Sequence, residues 1–124
     1  MRSAVGDASG SVAVELAIVT PLILVVMLAV VEIAVVARTQ LEVTNAAREG
    51  AREAAASPDP ARAVAAAKAA LGAAGTSAAV SVRRPHQVGA PAEVEVRLAH
   101  SLAAPLFGGV PIELRGRATM RVER

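Results

Sequence analysis

The feature that most constrains this chain is a continuous apolar segment from Leu16 to Ala37. An α-helix over this range spans about 30 Å, which is the thickness of the hydrocarbon core of a bilayer. A chain of 124 residues leaves room for one small domain beside the segment, and such a domain cannot enclose an apolar helix of this length on all sides. The segment is therefore predicted to span a membrane.

Two carboxylates accompany the apolar segment: Glu15 stands directly before it and Glu32 lies inside it. One acidic residue at mid-membrane costs roughly 2.5–3.5 kcal/mol, whereas each Leu, Ile or Val contributes about −0.3 to −0.6 kcal/mol, so the sum still favours insertion. Because ionisable residues within a membrane are functional candidates, we predict that Glu32 contacts a partner protein. Solvation at the outer interface and an ion pair with Arg38 are the alternatives.

Pro21 interrupts the hydrogen bonding of the apolar helix, because proline has no amide hydrogen for the carbonyl of Ala17. Thr20 or a neighbouring helix can compensate, so we predict a packing kink rather than a hinge. Cleavage as a secretory signal after Val35-Val36-Ala37 is a second interpretation of the whole segment. The apolar run exceeds the usual 7–15 residues and contains a charge, which argues against that interpretation.

The residues before the segment, "GSVAVE", resemble the substrates of type IV prepilin peptidases: a short hydrophilic leader ends in Gly10, and Glu15 is the fifth residue counted from Ser11. Glycine lets an extended backbone enter a protease cleft. Cleavage between Gly10 and Ser11 would leave the apolar helix on the mature protein. It would also create an ammonium group one helical turn from Glu15, which could neutralise that carboxylate within the chain or in an adjacent subunit.

Four elements in order carry a wider resemblance: "AVELA", then Pro21 six residues beyond Glu15, then Glu32, then "TNAAREGAR" at Thr44–Arg52. Together they resemble the TadE-like pseudopilins of the tight-adherence (Tad/Flp) pilus machinery. Leu16 replaces the phenylalanine that is common in that family, and Asp7 stands in a leader that is usually more basic. The resemblance implies a minor, peptidase-processed bacterial membrane protein that is needed to build or anchor an adhesive pilus.

That resemblance also implies partners: a prepilin peptidase, other pilus or pseudopilin subunits, membrane platform proteins and membrane lipid. We predict a cytoplasmic leader at 1–10, a transmembrane and stalk helix at 11–56 and an extracytoplasmic domain at 57–124. The arginines flanking the segment do not decide its orientation. The processing argument places the N-terminus in the cytoplasm and the C-terminus outside the cytoplasmic (inner) membrane.

The helix is predicted to run from about Val12 to Ala56, where the prolines of "SPDP" end it. Helical spacing brings opposite charges together at Arg38–Glu42 and Glu49–Arg52. Gly50 is the weakest helix former in this part. The assembly contact candidates are Glu15, Glu32, Arg48 and Arg52. A solvated charged face is the other interpretation of the two arginines.

The remaining sequence predicts an α+β domain of pilin-like type. Asp59 caps a second helix that begins at Pro60 and ends at Leu71, before Gly72. After a Gly/Ser/Thr linker, "AAVSVRR", "AEVEVRLAH" and "PIELRGRATMRVER" alternate apolar and polar residues and predict a three-stranded antiparallel sheet. Its apolar side, including Met120, is expected to pack on one of the helices. The segments "PHQVGAP" and "SLAAPLFGGVP" are predicted loops.

Composition argues against several functions. Cysteine is absent, Phe107 is the one aromatic residue, and His86 and His100 stand outside any catalytic or metal-binding motif. We therefore predict no enzyme, no cofactor and no metal site. Arginines of the polar sheet side alternate with glutamates, so cross-strand pairing is favoured over nucleic-acid binding. A membrane-anchored or secreted extracytoplasmic binding module without a pilus role is the alternative function.

Overall fold

The computed structural model describes residues 6–102 and 108–123, with side chains from Gly10 onward. The first five residues of the predicted leader and residues 103–107 of the predicted "SLAAPLFGGVP" loop, which include Phe107, lie outside the described residues. The chain forms two compact units that divide between Ala34 and Val35.

The fold class predicted from the sequence is confirmed. Helix α1 covers Gly6–Ala56 and helix α2 covers Pro60–Ala70, followed by a short 3-10 helix at Gly72–Thr76. The strands are β1 (Ala79–Arg83), β2 (Pro91–Ser101) and β3 (Pro111–Arg121). Two boundaries differ from the prediction. The first helix begins at Gly6 rather than about Val12, because no proline precedes the segment and extending an existing helix is easy. The predicted Gly/Ser/Thr linker contains the 3-10 helix.

The first unit consists of α1 up to Ala34, and its apolar side chains are exposed. Leu22, Leu24 and Ile33 are each more than 60% exposed. Pro21 lies inside the helix. The hydroxyl of Thr20 donates a hydrogen bond to the carbonyl of Leu16 at 2.7 Å. It therefore bonds to a different carbonyl from that of Ala17, which Pro21 leaves without an amide donor. A threonine hydroxyl in a helix commonly bonds the carbonyl four residues back.

In the second unit, an antiparallel sheet of order β1-β2-β3 presents one apolar face. Ala92, Val94, Val96 and Leu98 of the central strand are buried, whereas the residues between them face outward. The predicted two-residue period is thus confirmed. Met120, expected on the buried side of β3, is 37% exposed. It lies near the end of an edge strand, where packing neighbours are fewer.

The apolar sheet face packs on both helices rather than on one of them. The core is made mainly of alanines and valines, with three leucines, from α1, α2, the sheet and residues directly flanking them: Val43, Ala46, Ala47, Ala51, Ala54, Ala63, Ala67, Leu71, Ala78, Ala92, Val94, Val96, Leu98, Leu114 and Val122. Small side chains let the backbones of helix and sheet approach closely. At two positions the approach is so close that only glycine fits without a shift of its neighbours. A Cβ on Gly116 would lie 2.6 Å from the carbonyl oxygen of Val43, and one on Gly50 would lie 3.0 Å from Cγ1 of Val94.

The C-terminal end of α1 is fixed by donors from three separate segments. The amide of Ser57 donates to the carbonyl of Glu53 at 2.8 Å, and the amide of Glu123 donates to that of Ala55 at 3.0 Å. Nε of Arg84 donates to the carbonyl of Ala54 at 2.7 Å. The last carbonyls of a helix have no partner within it, so these bonds satisfy groups that are otherwise costly to bury.

Helix α2 begins and ends as the sequence predicts. The carboxylate of Asp59 accepts a hydrogen bond from the amide of Ala61 at 2.9 Å, and Pro60 occupies the first helical position. Leu71 is the C-cap, and Gly72 follows with a φ of 59°, in the left-handed region that glycine adopts at little cost.

Replacing Asp59 with alanine should lower the free energy of unfolding of the second unit by about 1 kcal/mol, because the first turn of α2 loses its side-chain acceptor. Pulse proteolysis of the full chain in detergent, across a urea gradient, measures the change. Asp59→Asn keeps an acceptor and should remain within about 0.5 kcal/mol of the parent. Equal losses in both variants would contradict a capping role.

Candidate processing segment and assembly surfaces

The three predicted processing residues, Gly10, Ser11 and Glu15, lie on two consecutive turns of α1. Ser11 and Glu15 are four residues apart, so they share one face of the helix. Glu15 is exposed and shares its helix face with Val12, Leu16 and Val19. The structure therefore places the Glu15 side chain on the same face as the position where cleavage would create a new amine.

Gly10 has no packing role among the described residues. Beyond the adjoining helix backbone, a Cβ built on it would meet no heavy atom within 4 Å, and Gly10 lies in ordinary helix rather than at a turn. Gly50, Gly75 and Gly116 are different, because a Cβ on each would come within about 3 Å of another part of the chain. The fold does not require glycine at position 10.

The other carboxylate of the apolar segment, Glu32, is half-buried in the first unit. Arg38, which the sequence offered as a possible intrachain partner of Glu32, forms an ion pair with Glu42, with Nε 3.2 Å from Oε1. This pair was predicted from helical spacing and is confirmed.

The part of α1 in the second unit has one buried and one exposed face. Its exposed face, here called the outer helix face, consists of Leu41, Asn45, Arg48 and Arg52. Their spacing of three or four residues aligns them along the helix. The predicted contact candidates Arg48 and Arg52 thus lie together, whereas Glu15 and Glu32 belong to the first unit.

Two details of the outer helix face extend the sequence prediction. Leu41 is 66% exposed, although it is a large apolar residue. The sequence analysis did not identify Leu41 as a contact candidate. Its position could have been inferred from helical spacing, because Leu41 lies two turns before Arg48 on the same face and on the opposite face from Val43. Arg52 forms the predicted ion pair with Glu49. The hydrogen bond from Arg52 lowers the pKa of the Glu49 carboxyl, and the same bond raises the pKa of Arg52.

The outer sheet face carries the alternating charges, and one arginine pairs across strands as predicted, whereas Arg97 and Arg115 pair with glutamates of their own strands. Arg117 of β3 lies between two carboxylates of β2, 3.0 Å from Glu93 and 2.9 Å from Glu95. Hydrogen bonds from Arg97 and then Arg117 lower the pKa of the Glu95 carboxyl. Arg97, Arg115 and Arg117 therefore each have a carboxylate partner within the sheet.

Among the described residues, no cluster of three or more His, Cys, Asp or Glu side chains could hold a metal ion. His86 lies exposed in the segment between β1 and β2.

Within the described part of the chain, one helix is long and apolar enough to cross a membrane, from Gly10 to Ala56. No curated protein and no solved structure matches the chain. A family model described as "TadE-like protein" matches residues 10–52. The matched range starts at the predicted cleavage site and ends with Arg52 on the outer helix face. The match over residues 10–52 is consistent with a TadE-like protein of Tad pilus systems.

Proposed function

We propose that this chain is a minor pseudopilin-like membrane protein that is required to assemble or anchor a Tad/Flp-type adhesive pilus. The observation that carries the proposal is the family match over residues 10–52. It covers the predicted cleavage site, the apolar segment and the outer helix face, so the features that distinguish a pseudopilin from a plain anchor all lie within it.

Maturation is the first step of the proposed mechanism. A prepilin peptidase hydrolyses the bond between Gly10 and Ser11, and the Ser11 amine takes up a proton. The lack of any packing requirement at Gly10 supports this step, because a glycine that the fold does not need is available to meet the demands of a peptidase cleft. The new ammonium group then neutralises the Glu15 carboxylate, on the same face of α1 or in an adjacent subunit.

Assembly is the second step, and it works by protein–protein packing without catalysis. The apolar segment holds the subunit in the cytoplasmic membrane, with the leader in the cytoplasm and the second unit outside. The outer helix face, with exposed Leu41 and Arg48 beside paired Arg52, contacts other pilus subunits or the membrane platform. Arginine is enriched at protein interfaces, and the exposed Leu41 side chain adds apolar area that a partner can bury.

The mass of the mature N-terminus tests the proposal. The protein would be purified from cells of a Tad-encoding bacterium and from matched cells lacking the prepilin peptidase. We expect Ser11 as the first residue in the former and Met1 in the latter. An N-terminus at Arg38 in both would instead indicate a secreted module, and Met1 in both would indicate a plain anchor; either result would overturn the proposal.

A further inference from the structure

One end of the sheet differs in chemistry from the rest. Strand β1 pairs only with Glu93–Arg97 of β2, so the following residues of β2 pair with β3 alone. We define the hairpin end as the described residues Leu98–Leu102 and Gly108–Ile112. It contains no Asp, Glu, Lys or Arg, whereas the paired remainder of β2 and β3 carries charges along its length. An isolated two-stranded hairpin is marginal in water.

The hairpin end also exposes apolar surface. Val110 is 50% exposed, Pro111 is exposed and Leu102 is half-buried. The amide of Leu102 donates to the carbonyl of Val110 at 3.1 Å, so pairing continues beyond the last ladder residues and fixes both side chains at the end.

Three contacts within the second unit give the direction in which this end lies. Nε2 of Gln40 donates to the carbonyl of Arg115 at 2.7 Å, and the amide of Glu123 donates to the carbonyl of Ala55 at 3.0 Å. Between them, Gly116 faces Val43. Strand β3 therefore runs in the same direction as α1, and its first residues lie beside the earliest part of α1 in this unit.

That part of α1 is where the apolar segment ends. Val36, in its last turn, and Ile112, in the hairpin end, both pack against the same core. Arg38, with a side chain 83% exposed, is the first charged residue after the segment. The interfacial layer of a bilayer extends about 5–7 Å beyond the hydrocarbon core on each side. A hairpin end at the level of Val36 falls within that layer.

We propose that the hairpin end contacts the bilayer, forming a second, peripheral membrane contact in addition to the transmembrane helix. The partner is the lipid surface rather than a second copy of the chain, because the charge-free, apolar end lies at the level where the membrane-spanning segment leaves the lipid. Val110 and Leu102 enter the boundary between headgroups and acyl chains, which accepts apolar side chains to a depth of about 5–10 Å. This inference rests on the membrane placement in the proposed function.

The absence of cysteine allows a direct test. Full-length Val110→Cys protein, labelled with a small environment-sensitive dye, would be reconstituted into phosphatidylcholine vesicles containing lipids with a nitroxide at a shallow or a deep position. The matched control is Val88→Cys, because Val88 is 69% exposed in the loop at the opposite end of the sheet. Val26→Cys, in the middle of the apolar segment, reports on the span itself.

We expect quenching of the Val110 probe to exceed that of the Val88 probe by at least about twofold, and to be stronger with the shallow nitroxide. The probe at position 26 should be quenched most strongly by the lipid with the deep nitroxide. Quenching at Val26 without quenching at Val110, or equal quenching at Val110 and Val88, would overturn the inference and leave the span intact. Failure of the Val26 probe to be quenched would overturn the membrane placement in the proposed function.

Discussion

Replacing Gly116 with valine will destabilise the second unit by about 3 kcal/mol, the upper part of the usual range for overpacking. The added Cβ would lie 2.6 Å from the carbonyl oxygen of Val43 and 2.9 Å from Cα of Thr44. Both are backbone atoms, so no side chain can rotate away, and β3 must separate from α1. Intrinsic strand preference predicts the opposite sign, because valine favours strands and glycine does not.

The same urea pulse-proteolysis measurement in detergent decides between the two signs. Thr119→Val is the matched control: Thr119 lies on the same strand, is exposed and pairs with Glu93 on the outer sheet face. It should change the free energy of unfolding by no more than about 0.5 kcal/mol. A Gly116→Val protein as stable as the parent would show that helix and strand are not held at this distance.

Replacing Gly10 with phenylalanine will abolish removal of the leader without changing the stability of the fold. The aromatic ring obstructs the approach of the peptidase to the bond before Ser11, yet among the described residues the Cβ has no heavy atom within 4 Å beyond the adjoining helix backbone. The mature N-terminus, read by mass spectrometry from cells with the peptidase, should shift from Ser11 to Met1. Surface pili should be lost with it.

Two controls separate processing from folding in this experiment. Gly10→Ala adds a single methyl group and should be cleaved more extensively than the phenylalanine variant. The urea midpoint of the second unit should be the same in all three proteins, because position 10 lies in the other unit. Cleavage of the phenylalanine variant between positions 10 and 11 would contradict the proposed role of Gly10.

Much of the fold followed from local signals. Proline and glycine positions with the Asp59 cap predicted α2 almost to the residue, and alternation predicted the three strands and the burial of Val94 and Val96. Charge pairs at helical spacing were equally predictable, as Arg38–Glu42 demonstrates. Such features depend on neighbours a few residues apart, which the sequence displays directly.

The candidate site was predictable to a lesser degree. The spacing of Gly10 and Glu15 and the apolar segment indicated where processing and insertion would take place. The exposure of Leu41 required the packed structure. It depends on which face of α1 the sheet covers.

The sequence by itself determined the apolar segment, the order and type of the elements, and the alternation that gives the sheet one apolar face. All of these arise from periodicity and composition along the chain. Tertiary structure alone decided that Gly50 and Gly116 are contact points, that β3 follows the direction of α1, and that Val36 and Ile112 pack against the same core. The reason is physical: close approach and direction are properties of two segments distant in sequence, and neither segment carries them alone.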